Sequence, residues 1–394
     1  MLIINAKIIT MENETIDNGY ILIKDSIIER IGMMSDLNIT SKRFIDAQGG
    51  LVLPGFIDPH CHIGMWDDGL GFEGDDGNEE TDPITPHLRA IDAVNSFDDC
   101  FAEALEAGIT TVLTGPGSAN PIAGQWCAIK TTRDRIDHII VSDPVGMKFA
   151  LGENPKTTYN AKSQSPVTRM ATAALIREQL YKAKRYMEDK AKAENDEDID
   201  PPEYDMKCEA LIPVLTRKQK AFFHAHRADD IFTAIRLSEE FNLDYVLVHA
   251  TEAYKIAKHL QTIMPKIIAG PIICDRSKPE LKGLTPKNPG ILKSVGIDTA
   301  ICTDHPVIPI QYLALSAAIC AKEGLGKTRA LEAITITAAK ITGIDHRVGS
   351  IKVGKDADIL IFDQNPLDVM AYPTHVVIDG VLVKGQYSEQ QLSL

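Results

Sequence analysis

Leu51-Val52-Leu53-Pro54-Gly55-Phe56-Ile57-Asp58-Pro59-His60-Cys61-His62 is the stretch whose reading decides the fold. Residues 51–57 are apolar and broken only by Pro54-Gly55, the pattern of a strand buried on both faces. Alternate residues of a strand point to the same side. His60 and His62 therefore project together from its C-terminal end, close enough to share one cation. Imidazole suits Zn first, with Fe, Mn, Co or Ni behind it. His-x-His alone is a common pair, and it gains weight only from segments later in the chain.

Beyond it, strand and helix patterns alternate over residues 51–345. Candidate strands lie at 55–60, 110–113, 126–130, 147–151, 222–226, 245–249, 266–269 and 299–303, with helical patterns between most of them, as at 229–241 and 253–262. Eight such strands point to the α/β class, a parallel (β/α)8 TIM barrel rather than an open doubly wound sheet. No Gly-rich dinucleotide fingerprint or phosphate loop is present. His224-Ala225-His226 closes one strand, His249 the next, and Asp304 the last. A barrel gathers such strand ends into one pocket. A lone strand-end histidine is usually a packing or hydrogen-bonded residue, but coincidence is a poor account of several in barrel order. His87, His138, His259, His346 and His375 lack that placement and read as surface or packing residues. Asp58, within the strand, reads as a supporting polar group rather than a ligand.

The two ends are different. Residues 1–50 hold short strands at 2–4, 7–10, 19–24, 27–31 and 43–46, and residues 346–394 return to strands after the turn at 351–358. Together they predict a small composite β-sandwich domain. Two segments decorate the barrel. Residues 66–82 carry eight acids (Asp67, Asp68, Glu73, Asp75, Asp76, Glu79, Glu80, Asp82) and read as a mobile loop over the barrel mouth. Residues 168–220 read as a charged helical insertion, a surface hairpin with some lid role or an oligomer contact.

The net charge of −14 and pI of about 5.3 argue against nucleic-acid and anionic-membrane partners. No apolar run approaches the roughly 18–20 residues of a membrane span, and Met1-Leu2-Ile3-Ile4-Asn5-Ala6-Lys7 reads as a strand rather than a signal peptide. Seven cysteines without CxxC spacing fit a reducing, cytoplasmic setting better than a disulfide framework. A small-molecule substrate is the expected partner, and a homo-oligomer is compatible with the sequence.

The chain resembles the amidohydrolase superfamily, in particular its imidazolonepropionase-like and Xaa-Pro or Xaa-Arg dipeptidase-like branch. The match is carried by 54–62, Gly108-Ile109-Thr110-Thr111-Val112, 224–226, His249, Thr303-Asp304 and the run 349–358. The resemblance implies that His60 and His62 hold the more buried metal, that His224 and His249 hold a second, and that Asp304 binds the first metal and acts as base. His226 or His249 would also assist the developing oxyanion, and His226 would contact substrate. A bridging ligand is expected at the fourth strand. Lys148, carboxylated by CO2, is favoured because a lysine in an apolar strand is costly unless modified or paired; Glu153 is the alternative, and a plain Lys148–Glu153 ion pair would be the non-functional reading.

The implied function is a metal-dependent hydrolase that cleaves an amide or cyclic-amide C–N bond in a dipeptide, N-acyl amino acid or cyclic amide by attack of metal-bound hydroxide. A deaminase, or a lactonase or esterase, on the same site is the alternative, and a non-catalytic assembly protein ranks below both. Deaminases of the superfamily usually carry His-x-x-Glu after the fifth strand, whereas here His224 is followed at +3 by Arg227. Acids of the 66–82 loop would attract a cationic substrate, while Arg227, Arg276 and Lys278 would capture a carboxylate. The residues leave that choice open.

Overall fold

The structure is a computed structural model that describes residues 1–38, 43–67 and 71–388. Asp68 of the acidic segment lies outside the described residues. Pro54-Gly55 is where the deciding stretch changes sheets. β5 (Leu51–Pro54) belongs to a sheet that also holds β1 (Leu2–Ile9), β2 (Thr15–Lys24), β3 (Ile27–Met33) and β4 (Phe44–Asp46). β6 (Phe56–Cys61) opens a second sheet. The single strand expected over 51–57 is thus two strands hinged at Gly55, where a Cβ would sit 2.0 Å from Thr110 Oγ1. Only glycine lets the chain cross so close to its neighbour.

The second sheet runs in the order β13-β12-β11-β10-β9-β8-β7-β6, built from β7 (Ile109–Thr114), β8 (Ile122–Lys130), β9 (Ile140–Ala150), β10 (Lys220–Ala225), β11 (Tyr245–His249), β12 (Lys266–Ala269) and β13 (Thr299–Ile301). It is a nearly closed eight-stranded barrel, and all eight expected strands are in it. It is not all parallel. β8 pairs antiparallel with both β7 and β9. Only residues 115–121 separate β7 from β8, and a parallel return needs a crossover of about a dozen residues or more.

Side chains alternate through the wall. Phe222, Val246, Val248, Ile268 and Ala300 fill the interior with Trp126 and Ala128. Phe223, Leu247 and Ile267 face the surrounding helices. The helix Ala228–Glu240 starts with Asp229 and Asp230, acids that suit the positive helix N-terminus, and turns Ile231, Ala234, Ile235 and Leu237 inward.

The charged stretch 168–220 is only partly an insertion. The helix Arg169–Asn195 buries Ala173, Ile176, Leu180 and Ala183 in the same outer core as Phe149 and Phe223, so its first half is an ordinary barrel helix. Its second half is backed by the helix Met206–Leu215, whose N-terminus is capped by Asp205. Among the described residues no helix is long and apolar enough to cross a membrane.

The end strands β14 (Ile359–Phe362), β15 (His375–Ile378) and β16 (Val381–Lys384) extend the first sheet through β5, in the order β16-β15-β14-β5-β1-β2-β3. Strands from both ends of the chain therefore share one continuous hydrogen-bonded sheet. Lys130, at the end of β8, is 1 % exposed and ties the barrel to it. Its ammonium lies 2.6 Å from Asp358, 2.9 Å from Asp356 and 3.1 Å from Asp379. Burial pulls its pKa down, but the three carboxylates outweigh that and leave it raised.

Removing one member of such a buried network strands the others. Lys130→Met is expected to destabilise the protein by about 3–5 kcal/mol, read from the denaturant midpoint. An unchanged unfolding curve would show that the three acids do not depend on this cation.

Candidate metal centre

The histidines meet at the barrel mouth because of where their strands end. His224 and His226 follow Phe222 at alternate positions and point inside with it. His249 does not follow that rule, since Val246 and Val248 already take the interior positions of β11. Its φ of +70°, followed by Ala250 at +44°, breaks the alternation. The imidazole comes to 4.5 Å from the His224 ring and 5.1 Å from the His60 ring, centroid to centroid. Asp304 has φ +58° at the corresponding place after β13. Left-handed backbone at such residues costs about 1–3 kcal/mol each and persists only where surrounding contacts impose it.

For Asp304 those contacts are at the seam between β13 and β6, which no ladder joins among the described residues. The Asp304 amide donates to the His60 carbonyl (3.1 Å), and the His62 amide donates to that of His305 (2.8 Å). Asp58, wholly buried, accepts from the Thr303 amide (3.2 Å), the Thr303 hydroxyl (2.5 Å) and the His60 amide (3.2 Å). Burial pushes its carboxyl up to about 7 despite those donors.

Two sets of donor atoms result. His60 Nε2 and His62 Nε2 each lie 3.4 Å from Asp304 Oδ1. In the second set, the ligand atoms of His224, His226 and His249 lie within 4.8 Å of one another. Carbonyls fix two tautomers. Gly115 O accepts from His62 Nδ1 and Gly270 O from His249 Nδ1, each at 2.7 Å, so both Nε2 atoms keep their lone pairs for the site. His249 Nε2, both nitrogens of His224 and Nδ1 of His60 are buried with no hydrogen-bond partner. Buried polar atoms are ordinarily partnered, and a cation is the partner that several converging lone pairs fit.

Electrostatics agree with that. Burial holds His60, His224 and His226 well below the usual imidazole range and His249 at about 4, so the rings are neutral ligands near neutral pH. Burial also raises the Asp304 carboxyl, but His249, His60 and His62 outweigh it and keep Asp304 ionised.

Lys148 is fully buried on β9, 3.2 Å from His60 Nε2 and 4.9 Å above the Trp126 ring. Burial lowers its pKa to about 7. Among the described residues it forms no ion pair with Glu153. Glu153 opens the helix Glu153–Ala161, and its carboxylate accepts from the Glu280 amide at 3.3 Å. Arg227 is not brought to the site. It is exposed and forks onto Asp229 at 2.8 and 2.9 Å.

Three participants carried no signal of their own in the sequence. Trp126 stacks on His60 at 4.3 Å and 9°. Thr251 Oγ1 holds His226 Nδ1 at 2.7 Å. Glu280, 1 % exposed, lies beside His224 and His226. A cavity of about 710 Å³ opens over these groups, lined by His62, Trp66, Asn154, Lys278, Asp304 and Val307 among others. The acidic segment does reach this mouth, through Trp66, Asp67, Asn78 and Glu80. It is pinned there by Asn95–Asp67, Lys162–Glu80 and Lys207–Asp82.

Residues 51–387 match the family model described as the amidohydrolase family. The chain belongs to the amidohydrolase family. Family and relatives mark it as a hydrolase of C–N bonds. A solved amidohydrolase from Thermotoga maritima MSB8 is 40 % identical and superposes with a TM-score of 0.93 over 98 % of this chain and 100 % of that one. Amidohydrolase tasK of Hapsidospora irregularis is 32 % identical over 361 residues, 85 % of this chain but 36 % of that protein, so the chain spans about a third of that relative. An imidazolonepropionase of Caldanaerobacter subterraneus subsp. tengcongensis is 24 % identical over 389 residues, covering 91 % of this chain and 87 % of that one.

Both oxygens of Asp58 accept in the seam, so Asp58→Asn turns a donor toward donors on one side, and it is expected to cost about 1–3 kcal/mol of stability. Denaturant unfolding measures this, and a wild-type curve would remove Asp58 from the seam.

Proposed function

We propose that the protein hydrolyses an amide or cyclic-amide bond of a small molecule, such as a dipeptide, an N-acyl amino acid or a cyclic amide, with two divalent cations at the barrel mouth. One observation carries the reading: the 3.4 Å spacing of His60 and His62 Nε2 from Asp304 Oδ1, beside a second imidazole set in which His249 Nε2 and both nitrogens of His224 are buried without a partner. Tetrahedral zinc with bonds of about 2.0–2.1 Å has donors roughly 3.3–3.4 Å apart. His60, His62 and Asp304 would hold the first cation, and His224 and His249 the second. Zn is the first choice, with Fe, Mn, Co or Ni as substitutes. Lys148 is the bridging candidate. As an uncharged amine it adds CO2 and releases one proton to give a carbamate, which supplies the oxygens a bare amine lacks.

A divalent cation supplies acidified water and a polarised carbonyl. The remaining work falls to the chain. Asp304 Oδ1 faces the two imidazoles, and the side chain keeps 15 % exposure toward the cavity. It takes the proton of the attacking water and delivers it to the leaving nitrogen. Trp66 and the pinned acidic segment line one side of the mouth. A cavity of about 710 Å³ suits a substrate of this size. The name imidazolonepropionase carried by a relative makes cyclic amides a natural first panel.

Asp304→Asn is expected to retain the fold and much of the bound metal while turnover falls by about a hundredfold or more, the scale of general acid–base catalysis. Metal analysis and a screen of dipeptides, N-acyl amino acids and cyclic amides provide the readout. Near-wild-type turnover in the variant would remove the proposed base, and release of free ammonia with the rest of the substrate left in one piece would turn the assignment to deamination.

A further inference from the structure

Glu280 and His226 have no task in that hydrolytic scheme, yet both are built into the site. Glu280 lies in the short turn Pro279–Leu281 after β12. Its Oε2 accepts from the Glu153 amide at 3.0 Å. Gly152, with φ +85°, packs so near that a Cβ there would lie 2.8 Å from the same oxygen. The carboxylate is thereby held in one place. Its Oε1 faces His226 Nε2 at 3.6 Å and His224 Nε2 at 3.8 Å. His226 is aimed at it by the bond from its other nitrogen to Thr251.

A carboxylate this buried needs a positive partner. Lys278 provides one, with its ammonium 2.7 Å from Oε1 and 2.8 Å from Asn154 Oδ1, on the cavity side. The separations of 3.6 and 3.8 Å are a few tenths of an ångström wider than the roughly 3.3–3.4 Å between donors of a tetrahedral shell. The ligand atoms of His224, His226 and His249 lie within 4.8 Å of one another, and Glu280 Oε1 stands beside two of the three.

We propose that the second cation is held by His224, His226, His249 and Glu280 together, and that Lys278 competes with it for Glu280 Oε1. This rests on the metal-hydrolase reading and adds two ligands and a competitor to it. Lys278 neutralises Glu280 until a cation takes its place. Glu280→Gln removes the charge and keeps the shape. Lys278→Met removes the competitor. The two changes therefore act on the second cation in opposite directions, a pattern that general damage to the site does not produce.

The experiment is metal content by mass spectrometry, with stepwise zinc competition against a chelator, on the wild type, Glu280→Gln, Lys278→Met and His60→Ala. The expected result is two cations in the wild type. Glu280→Gln weakens the second by at least about tenfold, the lower bound for losing even an outer-sphere partner, and keeps the first. Lys278→Met tightens the second severalfold. His60→Ala loses the first cation and keeps the second. An unchanged second affinity in both Glu280→Gln and Lys278→Met overturns the proposal, as does a wild type that binds one cation that Glu280→Gln retains. In those cases the hydrolase reading stands. A wild type that binds no zinc at all sinks both. Should Glu280→Gln fail to fold, Lys278→Met decides alone by the sign of its shift.

Discussion

The seam between β13 and β6 is the constraint on which the site depends. Eight strands form the wall, yet its two edge strands share no ladder, and the gap falls beside His60, His62 and Asp304. Two backbone bonds and the carboxylate of Asp58 close it. A side chain here does the work of a peptide carbonyl. It satisfies Thr303 where the ladder would have done so, and by holding Thr303 it sets the residue after it. The donor spacing at Asp304 is thus a property of barrel closure as much as of the three side chains. Left-handed backbone at Asp304 is tolerable for the same reason, because short bonds on either side leave the chain nowhere else to go, and beyond His249 the Ala250 amide is tied to the Ala225 carbonyl of the neighbouring strand.

Electrostatics couple the two donor sets. Deep burial keeps the imidazoles uncharged, and one carboxylate, Asp304, stays ionised among them despite its own desolvation. Neutral nitrogen lone pairs around a retained negative charge form a local field that favours a cation, while burial keeps protons off the rings. On the far wall, Glu280 and Lys278 repeat the arrangement with the positive partner supplied by the chain itself.

Much of this was legible from residue order because the main determinants obey simple periods. His60, His62, His224 and His226 sit on alternate positions at strand ends, and period two is enough to bring each pair inside. The direction of β8 was not legible, since a strand buried on both faces reads alike in either direction. The signal lay in the shortness of the connection before it. Glu280 was invisible for a different reason: it stands in a turn, outside any helical or strand period, and its destination is set by Gly152 and the Glu153 amide, which are distant in sequence. Arg227 misled because a cation after a strand-end histidine looks aimed at the pocket, whereas it precedes the helix Ala228–Glu240 and finds Asp229 two residues on. His249 was correctly placed at the end of its strand, although strict alternation would have turned it outward.

The reversed strand has a consequence for how the mouth can change. A parallel strand would deliver its C-terminal loop to the site and be followed by a covering helix. Because β8 runs the other way, that sector is bounded by the β7–β8 hairpin and by a strap at 84–89, which bridges along β8 through Ile84–Ile122 and Arg89–Gln125. Trp126 stays under His60 while Lys130, four residues on, grips the terminal sheet. Sequence drift in the strap and in the acidic segment before it can reshape one side of the entrance while this strand still anchors both the centre and the base. In evolutionary terms, selectivity on that side is a module separable from the scaffold that performs the chemistry.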